Sequence, residues 1–279
     1  MITLYHYCSL ETFVEIVRSN EVWLTNIFCT NDSAEHSWLL NLAKDHLRRT
    51  VSEEQFKYLE PIIFSEEKPD LYCFCMSREG DSLGQWRAYA DDGRGVAIGF
   101  HGEFLEGLRK KKEDGYDVLR VEPVVYDPET QTELLEGRCA NLFANLDAII
   151  QSQSNRSPDD PYRDLDALIA KVRLWSLAAQ CKHPSFREEQ EVRLIYDRSI
   201  WPKATLSQRR FRAKGDIIVP YCALPLLTDG GALVIAEVVF GPKSAWKENE
   251  QEARNLLLEN GHDKRVHIWH SESTYGKCL

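Results

Sequence analysis

Residues 71–100, LYCFCMSREGDSLGQWRAYADDGRGVAIGF, decide the fold. LYCFCMS, at 71–77, is an uncharged apolar run that predicts a buried strand. DSLGQWRAYA follows as a short helix capped by Asp81 or Ser82, ADDGRG is a turn, and GVAIGF returns as a strand. Towards the N-terminus, ITLYHY is a strand. Ser9 and Thr12 then open a helix to about Ser19, with Leu10, Phe13, Ile16 and Val17 at helical spacing, before a second short strand, EVWLT, at 21–25. Asn31, Asp32 and Ser33 offer cap chemistry for a long helix bearing Trp38, Leu39, Leu42 and Leu47, and residues 52–60 read as a helix that Pro61 ends.

Downstream of residue 100 come a charged helix with Phe104, Leu105 and Leu108 inward, a strand around 118–126 and a helix from about 129. QSQSNRSPDDP, at 151–161, is a polar linker within the domain. A helix over 162–181 carries Leu165, Leu168, Ile169, Val172 and Trp175 on one face. EVRLIY (191–196) and DIIVPY (216–221) read as strands, and the tail as strand, helix and strand, ending in RVHIWHS. Strands and helices mingle without regular βαβ alternation. The expected fold class is therefore α+β, a single domain over 1–279 with a mixed, mainly antiparallel sheet flanked by helices.

The 279 residues include 34 Lys and Arg against 44 Asp and Glu, a net charge of −10. That balance argues against a nonspecific nucleic-acid binder but leaves room for a local basic patch. The N-terminus lacks the basic and apolar regions of a signal peptide, and no apolar run is long enough for a membrane span. The expectation is a cytoplasmic protein without membrane partners, whose eight cysteines are thiols. His267 and His270 form an isolated HxxH, and no second Cys or Cys/His pair completes a zinc site around Cys73 and Cys75. Phosphate-loop, GxSxG, HExxH and EF-hand patterns are absent from the sequence.

Three segments place polar residues on apolar elements: LYHY at 4–7, the stretch 77–95, and REEQEVRLIY at 187–196. His6 shares a strand face with Leu4. It is either a histidine satisfied by a backbone carbonyl or a fixed donor or acceptor at a ligand cleft. Trp86, Arg87 and Tyr89 fall within one helical turn beside Gln85, and Arg87 either pairs with Asp91 or Asp92 or awaits an anion. If 189–193 is extended, Glu189, Glu191 and Arg193 project to one face, while Val192, Leu194 and Tyr196 bury the other. Such a cluster is a salt-bridge ladder, or a carboxylate pair that raises its own pKa and stabilises a developing cation. The second case suits an oxocarbenium-like transition state, as in glycosidic bond cleavage.

Taken together, LYHYCSLETFVEIVRSNEVWLTNIFCTNDSAEH, LYCFCMS, QWRAYA, GVAIGF, EQEVRLI and VVFGPK resemble the motifs of a large bacterial family of cytosolic proteins of unknown function. The order of these elements is also similar to the ADP-ribosyltransferase superfamily, in the branch whose site reads His, Tyr, Glu. That resemblance implies a split antiparallel sheet gripping NAD as substrate. It implies that His6 holds a ribose hydroxyl and that Tyr89 or Trp86 stacks on nicotinamide. Glu191 then binds the nicotinamide-ribose hydroxyl and stabilises the oxocarbenium ion, and Glu189 activates the acceptor. Arg87 and Arg193 join the nucleotide-binding set. The implied activity is ADP-ribose transfer to an unknown protein or nucleic-acid acceptor, or NAD hydrolysis, with a toxin or phage-defence role. The alternative is a noncatalytic nucleotide- or phosphate-binding module, or an interaction partner. On the enzyme reading the three segments line one cleft, with His6 on a strand beside that of Glu191 and Arg87 near the mouth.

Overall fold

The computed structural model describes residues 2–30, 35–65, 68–107, 119–144, 147, 150, 157, 165–198, 208–226, 234–262 and 264–276. The expected cap at Asn31, Asp32 and Ser33, the inward Leu108, and all of the 151–161 linker except Ser157 lie outside them. The strands are β1 (Thr3–Cys8), β2 (Glu21–Asn26), β3 (Leu71–Ser77), β4 (Val96–His101), β5 (Leu119–Pro123), β6 (Glu191–Asp197), β7 (Arg209–Lys214), β8 (Ile217–Pro225), β9 (Ile235–Phe240) and β10 (His267–His270). The helices are α1 (Leu10–Ser19), α2 (Glu35–Thr50), α3 (Glu53–Ile63), α4 (Leu83–Tyr89), α5 (Gly102–Gly107), α6 (Pro128–Ala144), α7 (Leu165–Ala178) and α8 (Trp246–Glu259). No described helix is long and apolar enough to cross a membrane.

All ten strands join one sheet, in the order β10-β9-β4-β1-β3-β2-β8-β7, with β6 and then β5 added on β3. Among these strands only β9 and β10 pair in parallel. The class is α+β with a mixed, mainly antiparallel sheet, as the mingled elements predict.

The pairing of β3 shapes the site. β6 occupies one edge of β3 along its whole length, from Leu71 opposite Asp197 to Ser77 opposite Glu191. The other edge is shared by two strands. β1 meets it only at Tyr5–Ser77, and β2 only at Thr25–Cys73 and Asn26–Tyr72. Between those contacts β1 and β2 diverge, so the sheet is split along Phe74, Cys75 and Met76.

One face of the sheet carries the main core. There Leu4, Phe74, Ile98, Val192, Leu194 and Phe240 pack under Phe13, Ile16 and Val17 of α1 and Ala253 and Leu257 of α8. On the other face, Trp86 and Ala90 cover Tyr7, Ala97 and Val239, while Trp175 and Ala179 cover Leu71, Cys73 and Ile195. Local chemistry sets the element ends. Ser9 is extended and its side chain accepts the Thr12 N–H, while Asn20 closes α1 in the left-handed region with φ 50°. Ser52 and Gln55 cap α3 reciprocally.

Four expectations are corrected. Pro61 sits inside α3 rather than ending it, because a proline in the last turn sacrifices only one hydrogen bond and the helix stops two residues later. On α7, Leu168 and Ile169 are 40 % and 38 % exposed. The helix instead buries Ala167, Ala170, Leu174 and Leu177 against α2 and α3, and turns Trp175 to the sheet. β7 is a strand that the sequence reading passes over, since its residues are mostly exposed. Finally, Glu189 ends a 3-10 turn over Pro184–Glu189 and Gln190 has φ 45°, so the extended strand begins only at Glu191.

Candidate functional site

The split opens into a cavity of about 600 Å³, lined from β1, β2, β3, α4, the 182–193 segment and β7. Strand pairing determines how each residue reaches it. Tyr5, Ser77 and Glu191 form one row across β1, β3 and β6, so they share a face, and Cys75 and Arg193 form the next row on that face. His6 points to the opposite face, its ring 4.2 Å from that of Phe74. β3 therefore separates the His6 strand from the Glu191 strand, where adjacency was expected. Both residues line the cavity because it passes through the gap.

His6 Nδ1–H donates to the Cys75 carbonyl over 2.8 Å. That carbonyl lies where β3 has no strand partner on this edge, so the imidazole satisfies a group that the split exposes. Burial, helped by the Arg212 charge and opposed by the Cys75 bond, brings the His6 pKa down to about 4. The ring is neutral at physiological pH.

The carboxylates form one network with two cations. Arg193 donates Nε–H to Glu191 Oε1 (2.7 Å) and Nη2–H to Oε2 (2.9 Å), and its Nη1–H reaches the Ala179 carbonyl (2.9 Å). Lys182 Nζ bridges Glu191 Oε2 (3.2 Å) and Glu189 Oε2 (2.5 Å). Tyr89 donates its hydroxyl to Glu189 Oε1 at 2.8 Å. Lys182, Glu191 and Arg193 are all buried. Two negative and two positive groups balance, which is how buried charges persist. Burial opposes ionisation of Glu191, but the charge and hydrogen bonds of Arg193, with Lys182 adding, outweigh it and hold the carboxyl at about 2. The expectation that the paired carboxylates raise each other's pKa is therefore reversed for Glu191. The cations supply the reason.

α4 sorts its residues by helical spacing. Gln85, Ala88 and Tyr89 turn to the cavity. Trp86 is 0 % exposed, edge-on to Tyr7 at 4.7 Å, with its indole N–H on Asp81 at 2.6 Å. It packs the core and presents no face to the cleft. Arg87 is exposed, stacks over Tyr275 at 5.7 Å and is not among the cavity's lining residues. Asp91 and Asp92 are engaged by Arg94, and by Lys243 and Tyr275, respectively. The structure thus brings His6, Tyr89, Glu189, Glu191 and Arg193 together and leaves Trp86 and Arg87 outside.

Lys182 and Arg212 line the same cavity and escape the sequence reading. Lys182 follows the end of α7, and its backbone N–H donates to the Val125 carbonyl beside the Val125–Cys181 bridge, a placement no local pattern encodes. Arg212 has a usable signal: Gly215-Asp216 separates two short strand-like runs, a two-residue hairpin pattern. Cys73 and Cys75 also face the cavity with Sγ atoms 3.9 Å apart, and both, with Cys8, Cys29, Cys181 and Cys222, are free thiols.

These shifts give the fold an acid-labile signature. The folded His6 resists a proton that the unfolded chain binds near 6.5, so its contribution is complete above pH 6.5 and is lost as pH falls towards 4. Glu191 is depressed from 4.5, so its contribution holds above pH 4.5 and is lost as pH falls towards 2. Each amounts to about 3 kcal/mol in order of magnitude. Denaturant titrations are expected to show stability falling in two steps below pH 6.5, with His6→Asn removing the upper step.

No curated protein and no solved structure matches the chain. Residues 85–194 match a family described as a protein of unknown function (DUF2971), a stretch that runs from within α4 into β6. It contains Tyr89, Lys182, Glu189, Glu191 and Arg193, whereas His6 and β7 fall outside. That matched stretch supplies the charged wall of the cleft.

Proposed function

We propose that the cleft binds NAD and that the chain acts on its nicotinamide–ribose bond, passing ADP-ribose to a protein or nucleic-acid acceptor or to water. The observation that carries this reading is the cavity of about 600 Å³ at the split, which gathers His6, Tyr89, Glu189 and Glu191 from segments far apart in sequence. Its volume falls within the range of small-molecule and cofactor sites. The likeness to the ADP-ribosyltransferase superfamily adds a reason for the split and for the order His, Tyr, Glu.

In this reading the neutral His6 ring positions a ribose hydroxyl and Tyr89 borders the nicotinamide. Ionised Glu191 faces the positive charge that develops as the glycosidic bond breaks. Lys182 and Arg193 keep that carboxylate ionised and fixed. Glu189, held by Tyr89 and Lys182, is placed to assist the acceptor. Trp86 and Arg87 take no part.

One observation favours a second reading, a nucleotide-binding module without catalysis. Both Glu191 oxygens already accept bonds from cations, as expected if the carboxylates serve to orient Arg193 and Lys182. Chromatographic detection of nicotinamide after incubation with NAD, with and without protein or RNA acceptors, separates the two. Release proportional to protein concentration supports the enzyme. Saturable NAD binding without release supports the module, and the absence of both removes NAD from the account.

A further inference from the structure

We infer that Arg212, with Trp23 and Thr25, forms an anion subsite on the β2–β7 side of the cleft and takes a phosphate group of the bound ligand. The choice of phosphate rests on the nucleotide reading above; the anion preference stands on the following geometry.

Arg210 and Arg212 lie two residues apart on β7 and so project to the same face. Arg210 spends its charge on Glu21, at 2.9 Å. Arg212 makes no ion pair among the described residues. Its Nη2–H donates to Thr25 Oγ1 at 2.9 Å, and its guanidinium lies over the rings of Trp23 and Tyr221, 5.2 and 5.9 Å from their centroids. Those contacts fix the guanidinium plane without neutralising it.

Two buried donors on this wall, Arg212 Nε and Trp23 Nε1, have no acceptor among the described residues. Buried donors without acceptors are costly, and a ligand is one way to satisfy them. Both residues line the cavity, and both offer only N–H groups, so the complementary ligand group is an acceptor with negative charge. Burial lowers the Arg212 pKa, with only Tyr221 opposing that shift, consistent with a cation that lacks a carboxylate. The opposite wall is balanced, with Glu189 and Glu191 against Lys182 and Arg193. The positive field of the cleft is therefore concentrated on the Arg212 side, in a chain whose net charge is −10.

Isothermal titration with inorganic pyrophosphate and with ADP-ribose, at low salt, tests the subsite. The wild type is expected to bind pyrophosphate saturably, and Arg212→Gln to weaken it by at least about tenfold. Arg212→Lys should fall between, since a point charge keeps the attraction and loses the planar fork. Thermal melts matching the wild type establish that both variants are folded. Absence of pyrophosphate binding by the wild type, or equal affinity in Arg212→Gln, overturns the subsite. If ADP-ribose fails to bind while pyrophosphate binding still depends on Arg212, the anion site stands and the nucleotide reading falls. If ADP-ribose binds the wild type and Arg212→Gln equally, the subsite falls and the nucleotide reading stands.

Discussion

Arg193→Met should destabilise the fold by about 3–5 kcal/mol, the range found when one partner of a buried ion pair is removed. Arg193 is 2 % exposed and binds both oxygens of Glu191 as well as the Ala179 carbonyl. Its loss leaves Glu191 buried with Lys182 as its remaining cation, and Lys182 is shared with Glu189. The double variant Glu191→Gln, Arg193→Met should cost less than the sum of the single changes, because it leaves no unpaired charge between β6 and α7. A coupling of about 1–3 kcal/mol from urea titrations is the expected reading. Additive single effects would show that the two side chains do not act as a pair.

Glu191→Gln carries the largest expected effect on activity. The change is nearly isosteric and removes the negative charge that, in the proposed reaction, faces the oxocarbenium ion forming on the ribose. Nicotinamide release per folded molecule should fall by about 10²–10³, the scale of losing one group that stabilises transition-state charge. The same variant also loses its bidentate bond to Arg193, so its melting temperature should drop, and turnover must be measured well below that melt. Unchanged turnover per folded molecule would leave Glu191 with a purely structural role.

How much of this could be read from the chain depends on whether the signal is local. LYCFCMS, GVAIGF and EVRLIY announce their strands through apolar runs, and Ser9 and Thr12 mark the start of α1 by their hydroxyls. The gathering of His6, Tyr89 and Glu191 in one cleft is signalled only by polar residues on apolar elements and by the resemblance, since no local pattern states which strands meet β3. The failures have a common origin in tertiary placement. A shared face for Glu189 and Glu191 requires extension through Gln190, but its φ of 45° breaks the strand and leaves Lys182 to join Glu189 to Glu191. Arg87 was grouped with Tyr89 by proximity in sequence, yet helical geometry sends it outwards to Tyr275. Arg212 lies on an exposed edge strand whose basic composition hides its pairing with β8.

Amide hydrogen exchange with and without NAD bears most directly on the cleft as the ligand site. NAD should slow exchange in three separated segments, residues 4–9, 73–77 and 188–193, because these meet at the split between β1 and β2. Protection confined to other parts of the chain, or no change at saturating NAD, would contradict the assignment of this cleft as an NAD site.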